Sequence, residues 1–101
     1  LVVPTVVGGR RHVFHLFVLQ VPGRDKLMAE LRANQIGCGL HYPTPIHLHP
    51  AYAQLGHGVG AFPHSERVAS HGLSLPMFPG MTRDQVEQVA KVIAAHMKEQ
   101  A

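Results

Sequence analysis

The chain has 101 residues, 46% of them hydrophobic and 15% charged, with a formal net charge of +3 at pH 7. That is the length of one domain and too apolar for intrinsic disorder. A single cysteine, Cys38, excludes an internal disulfide framework and any multi-cysteine zinc module.

Residues 1–11 read as an extended lead-in, with Pro4 barring a regular helix and Gly8-Gly9 marking a turn. Residues 12–21 are apolar on both alternating faces, which predicts a strand covered on both sides. Pro22-Gly23 ends it. From Arg24 to about Gln35, Leu27, Met28 and Leu31 form one stripe with charges opposite, which predicts a helix. Asp25 near its start suits the helix dipole. Asn34 or Gln35 must then turn the chain into a short Gly-rich strand over residues 36–40. Pro50 opens a short helix to Leu55, and residues 56–60 read as flexible. Pro63 opens a second short helix to about His71, stopped by Gly72. Leu73-Ser74-Leu75 reads as a third strand ended by Pro76. Thr82 and Gln85 have the spacing of a capping box. Val86, Val89, Ala90, Ile93 and Met97 follow at helical spacing to about Lys98. The order predicts an α+β fold: a small three-stranded, mainly antiparallel sheet with helices packed on one face.

Charge and histidine are unevenly placed. Residues 33–65 hold no Asp, Glu, Lys or Arg, but five histidines (His41, His47, His49, His57, His64), four prolines and five glycines. A long solvated loop normally carries charge, so this stretch is expected to lie against a ligand, a partner or the rest of a larger protein. The basic residues form no stripe with interleaved aromatics, which argues against nucleic acid. The apolar runs at residues 1–7 and 13–21 are too short or interrupted to span a membrane. The sequence opens at Leu1 without a charged and then apolar leader. It reads as a fragment rather than as a signal peptide and its domain.

The residues alone name no reaction. All six carboxylates lie on predicted helices, mostly facing solvent, and no pair converges for acid–base work. No serine sits in a G-x-S-x-G elbow. Cys38 and His41 could pair, but a small buried cysteine filling a tight strand is the plainer reading. His47 and His49 stand two apart, yet a zinc site takes three ligands. No carboxylate is expected nearby to orient an imidazole. The Gly-rich stretches match neither phosphate-cradling motif.

The segment from Gly37 to His47 resembles the G-x-G-[IV]-H-Y-P-x-P-x-H signature of the C-terminal domain of DegT/StrS-type sugar aminotransferases. These are pyridoxal-phosphate enzymes of the aspartate-aminotransferase fold. His12-Val13-Phe14-His15-Leu16-Phe17 resembles the family's H-x-[YWF]-H-x-[YF] strand, and residues 24–31 its R-D-x-L-x-x-x-L helix. Pro50-Ala51-Tyr52 resembles its P-A-Y. Residues 73–79 and Met81-Thr82 are similar to its L-S-L-P-[LM]-[FY]-P…M-T ending. The likeness runs in order from about residue 10 to 98. Gln35 departs from it, because many members have glycine there. Asn34 is expected to take the left-handed position instead.

The resemblance implies that residues 1–101 form one small C-terminal domain, with residues 33–65 facing a cleft and the large cofactor domain lying outside the chain. It implies transfer of an amino group, usually from glutamate, to a keto group of a nucleotide-linked sugar, in a cytoplasmic homodimer. His41 and Tyr42 would help hold the sugar nucleotide, and His47 and Tyr52 would join them or only brace the loop. Pyridoxal phosphate would be bound by the absent large domain. No catalytic, cofactor-binding or metal-binding residue is assigned here, so the chain alone is expected to be inactive. Two alternatives stand beside this reading: a stand-alone sugar-nucleotide-binding or interaction module, and a His-rich metal-binding domain.

Overall fold

Two short strands rich in β-branched, aromatic and leucine side chains pair across most of the chain. In the computed structural model, which describes residues 1–101, β1 (Phe17–Gln20) runs antiparallel to β2 (Gly72–Leu75). Phe17 lies opposite Leu75, Val18 opposite Ser74, Leu19 opposite Leu73, and Gln20 opposite Gly72. Side chains alternate across a strand, so Phe17, Leu19, Leu73 and Leu75 share one face.

Helices α1 (Arg24–Ala33) and α3 (Arg83–Glu99) meet that face. Leu27 and Leu31 of α1 and Val89 and Ile93 of α3 join Leu19, Val21, Ile36 and Leu73 in one buried cluster. Each such side chain contributes about 1.5–3 kcal/mol when fully buried. Helix α2 (Pro63–His71) begins with proline in its first turn and leads straight into β2. Arg24 reaches across from α1: its Nη1 donates to the carbonyls of Ala69 (3.1 Å) and Gly72 (2.9 Å). That fixes the start of α1 against the α2–β2 junction. Two 3-10 turns, Ile46–Leu48 and Pro50–Leu55, lie between α1 and α2.

The caps explain the helix limits. Gln85 N–H donates to Thr82 Oγ1 (3.3 Å), and Thr82 N–H donates to Gln85 Oε1 (2.9 Å), which is the predicted capping box. At the end of α1 it is Gln35, at φ 60°, that turns left-handed, while Asn34 stays at φ −90° and donates its Nδ2 to the Glu30 carbonyl. The expectation for Asn34 was therefore misplaced by one residue. Gly72 does not end α2 by turning left-handed, since its φ is −70°. A Cβ there would lie 2.5 Å from the Val68 carbonyl oxygen.

The sheet is smaller than expected: two strands, not three. The segment predicted as a strand over residues 36–40 touches β2 only at Gly39, which exchanges two backbone hydrogen bonds with Ser74 (3.1 and 2.8 Å). His41 Cε1 sits 3.0 Å from where a Gly39 Cβ would be. Pro43 and Pro45 then carry the chain away without N–H groups to donate. On the other edge, Val2 bridges Gln20, and the next ladder position falls on Pro4, which has no donor. The strand predicted over residues 12–21 shrinks to four residues because Phe14 adopts φ 47° and the chain bends at His15.

Replacing Gly72 with alanine is expected to destabilise the chain by about 1–3 kcal/mol in urea unfolding, as overpacking does. Gly58→Ala, with nothing within 4 Å of its added Cβ, should stay within about 0.5 kcal/mol. Equal costs would show that the Val68 carbonyl does not set this requirement.

Candidate functional site

The charge-free stretch folds into one side of an open groove of about 1100 Å³. Its first wall is residues 42–49, held in extended and 3-10 geometry by Pro43 and Pro45. Its second wall is the Pro50–Leu55 turn, and its third is the loop to Phe62 with α2 as far as Ala69. The lining includes Tyr42, His47, His49, Tyr52, His57, Phe62 and His64, and no Asp, Glu, Lys or Arg. It is therefore a surface of aromatic and histidine rings, hydroxyls and aliphatic side chains.

Three of the four residues singled out from the sequence come together here. Tyr42 is 72% exposed and Tyr52 45% exposed, so both hydroxyls are open to a ligand. His47 lines the groove but is buried. His41 does not line it. Its Nδ1 lies 2.9 Å from Ser74 Oγ on β2, and its ring stands edge-on to Tyr42 with centroids 5.3 Å apart. His41 thus seats Tyr42 against the sheet. The peptide between these two residues is cis.

Sequence reasoning missed the residue that organises the groove. Glu66, in the first turn of α2, accepts from His47 Nε2 (2.9 Å), twice from Gly60 N–H (2.8 and 2.9 Å) and from Phe62 N–H (3.3 Å). It lies one position beyond the charge-free stretch, where it looks like an ordinary surface helix acid. Its one available signal was its place in the first turn after a Pro-opened helix start. The expectation that no carboxylate stands near these histidines fails: Glu66 is two residues from His64 in the chain and bonded to His47 in space. Phe62 in turn meets His47 and His57 edge-on, with centroids 4.9 and 5.1 Å apart. Cys38 is half-buried, its Sγ 4.0 Å from the Met28 carbonyl, and has no imidazole partner. No group of three His, Cys, Asp or Glu side chains is placed to hold a metal ion. No helix is long and apolar enough to cross a membrane.

The Gly60 N–H bonds, followed by those of His47 and Phe62, hold the Glu66 carboxyl below its ordinary value of 4.5 against the opposing effect of burial. The carboxylate ties are complete above pH 4.5 and are lost as pH falls through the lowered native value. In an acid titration followed by NMR, the Gly60 and Phe62 amide signals should shift together with a midpoint below 4.5. A midpoint at or above that value would contradict the tie.

A family model, described as the DegT/DnrJ/EryC1/StrS aminotransferase family, matches residues 1–94. The chain is 43% identical over 93 residues to the "Pleiotropic regulatory protein" of Geobacillus stearothermophilus, covering 92% of this chain and 25% of that protein. It is 35% identical over 91 residues to the dTDP-3-amino-3,4,6-trideoxy-alpha-D-glucose transaminase of Micromonospora megalomicea subsp. nigra, covering 89% of this chain and 24% of that one. It superposes on the crystal structure of S. venezuelae DesV in complex with a ketimine intermediate with a TM-score of 0.86 at 36% identity, covering 91% of this chain and 25% of that one. A Brucella abortus aminotransferase of the same family matches with a TM-score of 0.85 at 32% identity, over 94% of this chain and 26% of that one. The chain spans about a quarter of the length of the curated relatives it matches. With that match running through the groove and both strands, the chain belongs to the DegT/DnrJ/EryC1/StrS aminotransferase family.

Proposed function

We propose that this chain is the small C-terminal domain of a nucleotide-sugar aminotransferase and that its groove forms one wall of the cleft for the sugar nucleotide. The observation that carries this reading is the lining: an open groove of rings and hydroxyls with no fixed charge, in a chain of this family. Flat rings suit a base or a pyranose face, and Tyr42 and Tyr52 offer hydroxyls to orient it. His41 keeps Tyr42 in place through Ser74. Relatives named as transaminases of dTDP-linked and UDP-linked sugars support that substrate class. Glutamate as donor and a homodimeric parent complete the proposal.

Pyridoxal phosphate is the cofactor the family implies, and it supplies the electron sink for moving an amino group. The residues present do not fit it. No lysine or arginine lines the groove. Lys26 lies on α1, where its bond to Glu99 (2.8 Å) raises its pKa above the ordinary 10.5. That is the opposite of what an imine-forming amine needs. Lys91 and Lys98 are exposed on α3. The cofactor therefore belongs to the large domain of the parent protein, and this chain contributes substrate contacts only. A metal-binding module is the weaker alternative, because no three His, Cys, Asp or Glu side chains are placed together to hold an ion.

Two measurements check this. Supplied with pyridoxal phosphate, glutamate and a keto sugar nucleotide, the chain alone should form no amino sugar; turnover would overturn the division of labour. The coding DNA upstream of the Leu1 codon should continue in frame for a few hundred codons and include a family-like S-x-x-K lysine. Histidine at that position would move the parent to a dehydratase-like branch. A start codon just before Leu1 would make the binding-module reading the leading one.

A further inference from the structure

Glu66 joins three parts of the groove that are separate along the chain: α2, the Gly60–Phe62 corner and the Ile46–Leu48 turn. An ionised carboxylate can only accept, so each partner must donate. The bond to His47 is therefore an Nε2–H donation. In a neutral imidazole this leaves Nδ1 as a lone-pair acceptor. The structure gives that Nδ1 no hydrogen-bond partner. It is also not sealed away, since the single buried unpartnered side-chain nitrogen or oxygen in the chain is His96 Nε2. His47 is otherwise enclosed, with its ring edge-on to Phe62, and the space beside it is the groove.

We propose that Glu66 is the positioning residue of this groove: it locks His47 in the Nε2–H form and so offers Nδ1 as an acceptor for a hydroxyl of the bound ligand. The proposal rests on the sugar-nucleotide reading and adds to it which atom reads the sugar. It makes His47 a recognition residue for a donor group rather than a metal ligand or a general acid. It also gives the carboxylate a second effect. Glu66 sets Phe62, and Phe62 stands edge-on to both His47 and His57. One side chain thereby fixes the width of the groove and the tautomer at its wall.

The test uses the full chain labelled with 15N in its imidazoles, at pH 8, where an ordinary histidine is neutral. The unaltered chain should show His47 as a single Nε2–H tautomer. Glu66→Ala should give a tautomer mixture and loss of slow exchange at Gly60 and Phe62. Glu66→Gln keeps a carbonyl acceptor and should keep the Nε2–H form. If Glu66→Ala does not fold, Glu66→Gln decides. A folded Gln variant that keeps the Nε2–H form supports control of the tautomer by residue 66, and a tautomer mixture in that variant or in the unaltered chain overturns it. Binding of dTDP and dTDP-glucose separates the two layers. The unaltered chain should prefer dTDP-glucose, and Glu66→Ala or Glu66→Gln should remove or retain that preference in step with the tautomer. The lost preference should be about tenfold, one hydrogen bond's worth. An equal preference in Glu66→Ala overturns the positioning role. No binding of either nucleotide by the unaltered chain overturns the sugar-nucleotide reading, and the tautomer result then stands on its own for Glu66.

Discussion

Four residue pairs, from Phe17 with Leu75 to Gln20 with Gly72, close the chain around residues 21–71. Closing so long a segment costs entropy before any contact rewards it. The reward comes from what the pairing brings together. Leu19 and Leu73 are directly opposite and fully buried, and they give α1 and α3 an apolar floor. Two further bonds clamp the same junction: Val21 N–H donates to the His71 carbonyl (3.0 Å), and Arg24 donates to that of Gly72 (2.9 Å). Everything that forms the groove lies inside this closed segment. Its walls are irregular, but their two ends are anchored to the best-packed part of the molecule.

How much of this was legible depends on the range of the interaction. Local signals read well. The Thr82–Gln85 box depends on residues three apart, and both of its bonds form. The α1 stripe buries Leu27 and Leu31 as its spacing requires. Signals that depend on partners distant in sequence read poorly. A run of apolar residues from 12 to 21 promises a long strand, but only four residues find a neighbour. The rest bends at Phe14 and His15, where the His12 ring accepts from the Phe14 N–H (2.8 Å). The Gly-rich segment over residues 36–40 had strand composition but met β2 at one residue. The missing charges over residues 33–65 did point to the groove. The carboxylate that holds it together lay just outside that window.

His96 makes the same point in the core. It stands on the buried side of α3, seven residues after Val89 and three after Ile93, and its side chain is fully buried. Its Nδ1 donates to Glu30 Oε2 (2.8 Å), because the carboxylate can only accept. That bond ties α3 to α1 beneath the exposed Lys26–Glu99 pair. Nε2 is left buried without a partner, beside Gly23 at the start of α1. An unmade bond of this kind costs about 1–3 kcal/mol. The α1–α3 packing must outweigh it, which the Leu27, Leu31, Val89 and Ile93 cluster can do. Periodicity alone would have put a leucine there.

The groove and the core are incomplete in complementary ways. The groove presents rings and hydroxyls, but no Lys, Arg, Asp or Glu lines it. The core leaves large apolar side chains uncovered. Met77, Phe78 and Val86 stay two-fifths or more exposed, beside a wholly apolar hollow of about 280 Å³ between Phe17, Leu75 and α3. Val2, Val3, Val6 and Val7 of the lead-in are exposed as well. Scattered apolar residues need no explanation, but contiguous ones mark a surface that meets another. A separate binding module would be expected to cover that surface itself and to carry charges that tighten its hold on a diphosphate. In the proposed function this chain needs neither, because the facing domain would supply both. The proposed arrangement accounts for both the neutral groove and the uncovered apolar edge. Under the proposed function, the chain gives shape and orientation to a site whose charge and reactive group stand on the other side.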